Sequence, residues 1–455
     1  MALGGSMPDT GNPARPPRCD RRPSGAVCGI RFPRRRAPRR LAPRVACLAL
    51  LALSLVPCRV AAEPASPRVV EVQSFWLAPA ESAALAEVRQ AYAARGGAWT
   101  DTPARSSAEN RSMAFQRMQN GTPPFALQWH AGNALNDLAQ NNLTLDLTPL
   151  ATEMGWSSML HGGVRPYLSR DDKLLLLPAG IHAENWAWFN GVLVRRYGNE
   201  APTDWNGVEA LLARSAAAGG PGIAMGTEPW QRMLLFSQIL ISEGGARVFV
   251  DLHEHGALEN LEDPATRRAL EIFVALRRYD HHSRRVRLWR DGTVAVTRGE
   301  AIVQFMGDWV RPELDELGAE PGRDVECVLA IGRDKHHLSV IDGFVFPRQG
   351  AEGLSPEHVR FAAAALAPDT QLAFSRRKGA IPARSDLTDR LDDPCMSTAY
   401  ELFKAPGASV PASVMIAPAR PLAGLINVVS ALWDDRRMDI PTAIAAMRRA
   451  LTVTR

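Results

Sequence analysis

From residue 69 onward, short apolar runs alternate with stretches of helical spacing. Val69 to Phe75 alternates as a strand, and Glu81 to Arg95 carries Leu85, Val88 and Tyr92 on one helical face until Gly96-Gly97 stops it. The unit then repeats. Ser112 to Met118 predicts a helix, Phe125 to Trp129 a strand and Asn133 to Gln140 a helix. Leu174 to Leu177 is an apolar run ending at Pro178, and Trp186 to Phe189 is another before Asn190. Thr203-Asp204 supplies a cap for a helix over Trp205 to Ser215, Gly222 to Met225 predicts a strand, and Trp230 to Ser242 predicts a helix stopped by Gly244-Gly245. Asp263 to Arg298 has helical spacing, and the carboxy-terminal part is mainly helical, clearest over Ser355 to Leu366 and Pro441 to Leu451. Strand followed by helix, again and again, predicts α/β layers with open sheets.

At 455 residues, the chain exceeds what one core usually holds, so two lobes are expected. Its 46% hydrophobic and 22% charged content is ordinary for a globular protein. Charge is distributed unevenly. Residues 1–62 hold twelve Arg, no Lys or Glu, and only Asp9 and Asp20, a net +10; the whole chain is +5, which leaves −5 for the rest. The basicity therefore sits in the leader and calls for no nucleic-acid partner. Within it, Arg34-Arg35-Arg36 and Arg39-Arg40 precede the apolar run Val45 to Pro57 and the small residues of Val60-Ala61-Ala62, the pattern of an export signal. The run falls short of the about 20 apolar residues that span a bilayer. A lipid anchor at Cys58 is the alternative, disfavoured by Pro57 where a small residue is expected. Four of six cysteines fall in the leader; the remaining pair, Cys327 and Cys395, predicts a disulfide in an oxidising compartment, against an alternative of two buried thiols.

The densest chemistry is Gln304 to Trp309, QFMGDW, where an apolar strand ends in Gly307, a carboxylate and an aromatic plate. Gly307 would let the backbone approach a ligand closely, while Asp308 and Trp309 suit a polyhydroxylated guest; the plain alternative is that Asp308 caps the next helix and Trp309 packs. His253-x-His255, His281-His282 and His336-His337 raise a metal site, but most lie among charges and none gathers ligands, so no metal is expected. Three Asn-x-Ser/Thr triplets, at Asn110, Asn120 and Asn142, match glycosylation acceptors by chance-level patterns. No Gly-x-Ser-x-Gly elbow, His-Glu-x-x-His pair or phosphate loop occurs.

QFMGDW, the Gly121-Thr122-Pro123-Pro124 segment leading to QWHAG (Gln128 to Gly132), the Glu228-Pro229-Trp230-Gln231 turn and KGAIPAR (Lys378 to Arg384) together resemble the extracellular solute-binding proteins of bacterial ABC sugar importers, in particular the glucose- and mannose-binding type. The similarity runs over most of residues 69–450. It implies a two-lobed periplasmic-binding-protein fold of the maltose-binding type, with a sugar held in the cleft and crossing strands at Ile181 to Asn190 and Asp342 to Pro347. The lobes would be 63–182 with 343–395, and 183–342 with 396–455, after a leader of 1–62. By the same resemblance Phe75 and Trp76 form one stacking wall, Trp230 and Trp309 the other. Glu81, His130, Asp308, Asp342 and Lys378 would bind the sugar hydroxyls, and His182 lies near the first crossing. Phe75 replaces a Trp usual in the family, Val340 a common Asn, and Met415 a late cleft histidine, so the sugar is open. The implied protein is a periplasmic monomer with no cofactor and no catalysis, whose partners are a sugar and a membrane permease. A secreted glycoside hydrolase using Glu81, Asp308 and Asp342 is the rival, which would need paired carboxylates about 5.5 Å or about 6.5–9.5 Å apart.

Overall fold

A computed structural model describes residues 69–280, 286–350 and 353–452. The leader, Cys58 and His281-His282 lie outside the described residues. Among the described residues twelve strands occur in chain order: β1 (Val69–Ser74), β2 (Ala98–Pro103), β3 (Ala126–His130), β4 (Ser169–Arg170), β5 (Lys173–Leu174), β6 (Leu177–Ala183), β7 (Trp186–Asn190), β8 (Val303–Met306), β9 (Val325–Leu329), β10 (His337–Val345), β11 (Ile381–Pro382) and β12 (Ser409–Pro411). The larger sheet has the order β11-β6-β10-β3-β1-β2 with β12 added on β10, and the smaller has the order β8-β7-β9; β4 and β5 form a separate hairpin. In the larger sheet β1 runs parallel to β2 and β3, whereas β10 is antiparallel to β3 and β6. The smaller sheet is antiparallel throughout. Helices pack on both, giving the mixed α/β layers that the alternation predicts.

The chain leaves the larger sheet after Ala183 and enters the smaller one at Trp186, so Glu184-Asn185 is the first crossing. It returns between β9 and β10, through residues 330–336, earlier than the Asp342 to Pro347 expected from sequence, because all of β10 is paired in the larger sheet. Residues 337–342 and 409–411, assigned by the sequence reading to the second lobe, thus contribute strands to the larger sheet. Asn185 ties both crossings. Its side-chain amide donates to His336 O (2.7 Å), its side-chain oxygen accepts from Leu338 N (3.0 Å), and its carbonyl accepts from Ala330 N (3.0 Å).

Local chemistry explains most boundaries. The helix Pro79–Ala93 starts with Pro in its first turn, and Glu81 reaches back to accept from Ala78 N at 3.2 Å. Ser106 and Asp204 cap their helices by accepting from Glu109 N and Gly207 N. Helix Pro229–Val250 breaks at Gly245 (φ 66°), where the glycine pair was expected to stop it. Three expectations differ. Pro178 lies inside β6, at a shift of register opposite Gly343, where the missing N–H is tolerated. Gly222 to Met225 makes only isolated bridges, from Ile223 to Asp280 and Val303. The stretch 263–298 divides into helices Pro264–Leu276 and Trp289–Thr297. Cys327 in β9 and Cys395 in helix Pro394–Lys404 are joined in a disulfide. That helix packs on β10, β11 and β12, so the bond links the smaller sheet to an element resting on the larger one.

Candidate functional site

The carboxyl ends of β1, β3 and β6 lie at the edge of the larger sheet where strand order reverses, the usual place for a ligand in an open α/β sheet. At the end of β1, Ser74 Oγ (2.7 Å) and Phe75 N (2.9 Å) both donate to Gln128 Oε1 in β3, and Trp76 N donates to Ser74 Oγ (3.1 Å). This fixes the bend that carries Phe75 and Trp76. The Trp76 ring is only 2% exposed and packs on Phe344 and Phe374, at centroid distances of 5.8 and 5.4 Å. It is therefore a core residue with one side toward Lys378, whose Nζ stands 5.5 Å from its ring and 5.7 Å from that of Trp309. Lys378 Nζ donates to Glu81 Oε1 at 3.1 Å, which gives the buried ammonium a charged partner.

Strand register builds the other half. Asp342 lies opposite His130 across β10 and β3, and Val340 opposite His182 across β10 and β6, so these side chains share one face. His130 Nδ1 is 2.9 Å from Asp342 Oδ1. His182 Nε2 faces Asp342 Oδ2 at 3.6 Å, and its Nδ1 pairs with Asp308 Oδ1 at 2.5 Å. Asp308 Oδ2 also accepts from Ala183 N at 2.7 Å. The carboxylate thus stitches the end of β8 to the end of β6 and does not cap the helix that follows. Trp309 stands edge-on to His182 (5.8 Å) and against Trp230 (6.3 Å), while Phe75 lies 5.6 Å from His130. The nine ligand residues expected from sequence form one contiguous cluster.

Electrostatics separate the acids. Burial works to raise the Asp342 pKa, but His130, His182 and Lys378 outweigh it and hold the carboxyl at about 2. For Asp308, burial prevails over His182, the Ala183 N–H and Lys378, and its pKa is raised. Glu184 is pushed up to about 8 by burial and by the charges of Asp342 and Asp308. Glu184 was not among the sequence-derived candidates, and His182 was noted only as lying near the first crossing. The signal that could have found them is alternation: residues 182 and 184 are two apart at the end of a strand facing Asp342.

Two glycines have specific tasks. A Cβ at Gly307 would collide with the Trp309 ring, so the glycine seats the plate and does not open a path to backbone. Gly379 ends helix Pro368–Lys378 in the left-handed region (φ 76°), and a Cβ there would strike the Asp308 carbonyl and stand 2.9 Å from Pro312 Cδ. Met415 is buried, with its sulfur 3.3 Å from Ile341 N. Val340 is buried beside His182. Neither supplies the polar group usual there in the resembled family. Among the described residues, no group of three or more His, Cys, Asp or Glu is placed to hold a metal ion.

No family model matches the chain. It is 30% identical over 331 residues to a probable sugar-binding periplasmic protein of Brucella melitensis, covering 72% of this chain and 77% of that one. It is 25% identical over 339 residues to an uncharacterized ABC transporter extracellular-binding protein of Pyrococcus horikoshii, covering 72% and 74%. Among solved structures, a chitin oligosaccharide binding protein superposes with a TM-score of 0.72 at 16% identity, over 85% of this chain and 98% of that one. A maltose-bound T. maritima MalE3 superposes with a TM-score of 0.67 at 17% identity, over 84% and 98%. These structures share the two-lobed fold.

Proposed function

The chain belongs to the sugar-binding periplasmic protein family, and from that membership we propose that it captures a sugar between its two lobes and delivers it to the permease of an ABC importer. It is a binding protein of the periplasm and not an enzyme. One observation carries the assignment of the site: Trp76, Glu81 and Lys378 meet Trp309 and Asp308 across the junction of the two sheets, with Asp342 and His130 alongside. A pyranose presents C–H faces to aromatic plates and a rim of hydroxyls to charged groups, and this cluster supplies both. The half-buried rings are Phe75, Trp230 and Trp309, so these provide the stacking surface, while Trp76 backs Lys378.

The mechanism is closure. A sugar that touches both walls gains its full contacts only with the lobes together, and so shifts the open and closed populations by its differential affinity. No bond is made or broken. The receptor acts as a monomer, and Val340 and Met415 retune it from the glucose pattern by withholding two hydrogen-bonding groups, each worth about 1–3 kcal/mol when a buried partner is left unpaired. Titration calorimetry of the chain from Glu63 onward against glucose, mannose, galactose, xylose and short oligosaccharides tests this. Micromolar binding of one sugar without product, about −8 kcal/mol, is the expected result. Silence across the panel, or turnover of a glycoside, would overturn the assignment of the sugar or of the role.

A further inference from the structure

The first turn of helix Pro79–Ala93 is served by two carboxylates from different parts of the chain. Ala78 N donates to Glu81 Oε2 (3.2 Å), within the helix's own first turn. Ala80 N donates to Glu313 Oε1 (2.9 Å), a residue 233 positions away in helix Val310–Glu316, which follows β8 of the smaller sheet. The Glu313 side chain is fully buried, and its second oxygen accepts from Arg290 Nε at 2.5 Å. Arg290 belongs to helix Trp289–Thr297, which packs on β7 and β8. Helix Pro79–Ala93, by contrast, packs on β2 of the larger sheet.

A carboxylate out of water must have its oxygens bonded, and a helix amino terminus favours negative charge. Glu313 meets both conditions only while the two sheets are together: one partner rides with the smaller sheet, the other with the larger. Separation would return one Glu313 oxygen and the Ala80 N–H to water. Glu313 belongs to none of the sugar-facing groups described above. We infer that Glu313, oriented by Arg290, is a closure latch: a positioning pair that sets sugar affinity through the stability of the closed form and not by touching the ligand. This rests on the two-lobed receptor reading.

Stopped-flow binding of whichever sugar the calorimetric panel identifies reads the latch directly. Glu313→Ala should raise the dissociation rate at least fivefold and leave the association rate within twofold. Glu313→Gln, which keeps an oxygen for Ala80 N, should fall between. A merely structural residue would lower the melting temperature without this split, and a dissociation rate within twofold of wild type in Glu313→Ala overturns the latch. Spin labels at the exposed positions Val192 and Val359, on elements following the smaller and lining the larger sheet, decide the matter independently of any sugar. The closed-distance population of the unliganded chain should shrink in Glu313→Ala, and identical distributions would refute the latch even if the panel finds no ligand.

Discussion

Asp342 is the residue on which most of the cluster depends. It faces His130 and His182, and the Lys378 charge helps to hold it ionised at about 2. Asp342→Asn keeps the shape and removes the charge, and should weaken sugar binding tenfold or more, about 1.4 kcal/mol, with an unchanged circular dichroism spectrum. Equal affinity by calorimetry would remove Asp342 from the ligand shell. Glu184 makes a different prediction. Its pKa is raised from 4.5 to about 8, so the folded state holds a proton that the unfolded chain has released; stability from this group is full below pH about 4.5 and lost as pH rises through about 8. Glu184→Gln should therefore narrow the difference in melting temperature between pH 5 and pH 8, and an undiminished difference would show that another group is responsible. Asp308, Trp309, His130, Trp230 and Lys378 were legible as candidates because they sit in short distinctive strings such as QFMGDW, whereas Phe75, Trp76, Glu81 and Asp342 were candidates by position in the resembled family alone. Glu184 was hidden, and His182 was noted only as lying near the first crossing, since their importance comes from register: β6 lies against β10, which carries Asp342.

At the scale of elements, the sequence anticipated what local chemistry decides. Asp204 starts a helix, Gly245 breaks one, and the alternating run at Val69 forms β1. It missed what distant partners decide. Pro178 reads as a terminator, but β6 passes through it because β10 shifts register there. Ile223 lacks a full strand because its neighbours offer it bridges only. The disulfide is the strongest long-range constraint, closing a separation of 68 residues between β9 and helix Pro394–Lys404. Cys327→Ser with Cys395→Ser should lower unfolding free energy by about 4 kcal/mol in the chain-entropy model. Denaturation in urea measures it, and a midpoint equal to wild type would mean the fold holds the two segments together unaided.

For the whole molecule, the chain passes between the lobes at two links joining the sheets and once more after β12, toward helix Ala419–Asp434, which packs on helix Pro229–Val250. Glu184-Asn185 and residues 330–336 are the passages between the sheets, and Asn185 bonds to His336, Leu338 and Ala330 at once. The two-lobed fold was legible from length and motifs, whereas the position of the return crossing was not, since it depends on β10 pairing along its full length. Small-angle scattering with and without a bound sugar should show a more compact particle on saturation, and no change would exclude closure as the mechanism. Gly379 carries a last consequence. It seats a bare backbone against the Asp308 carbonyl and Pro312, so a single added methyl would behave as a doorstop. Gly379→Ala would turn the trap into an open shelf, sampling sugar on one wall and shedding it at once, which makes that position the natural place to build the non-retaining reference half of a matched sensor pair.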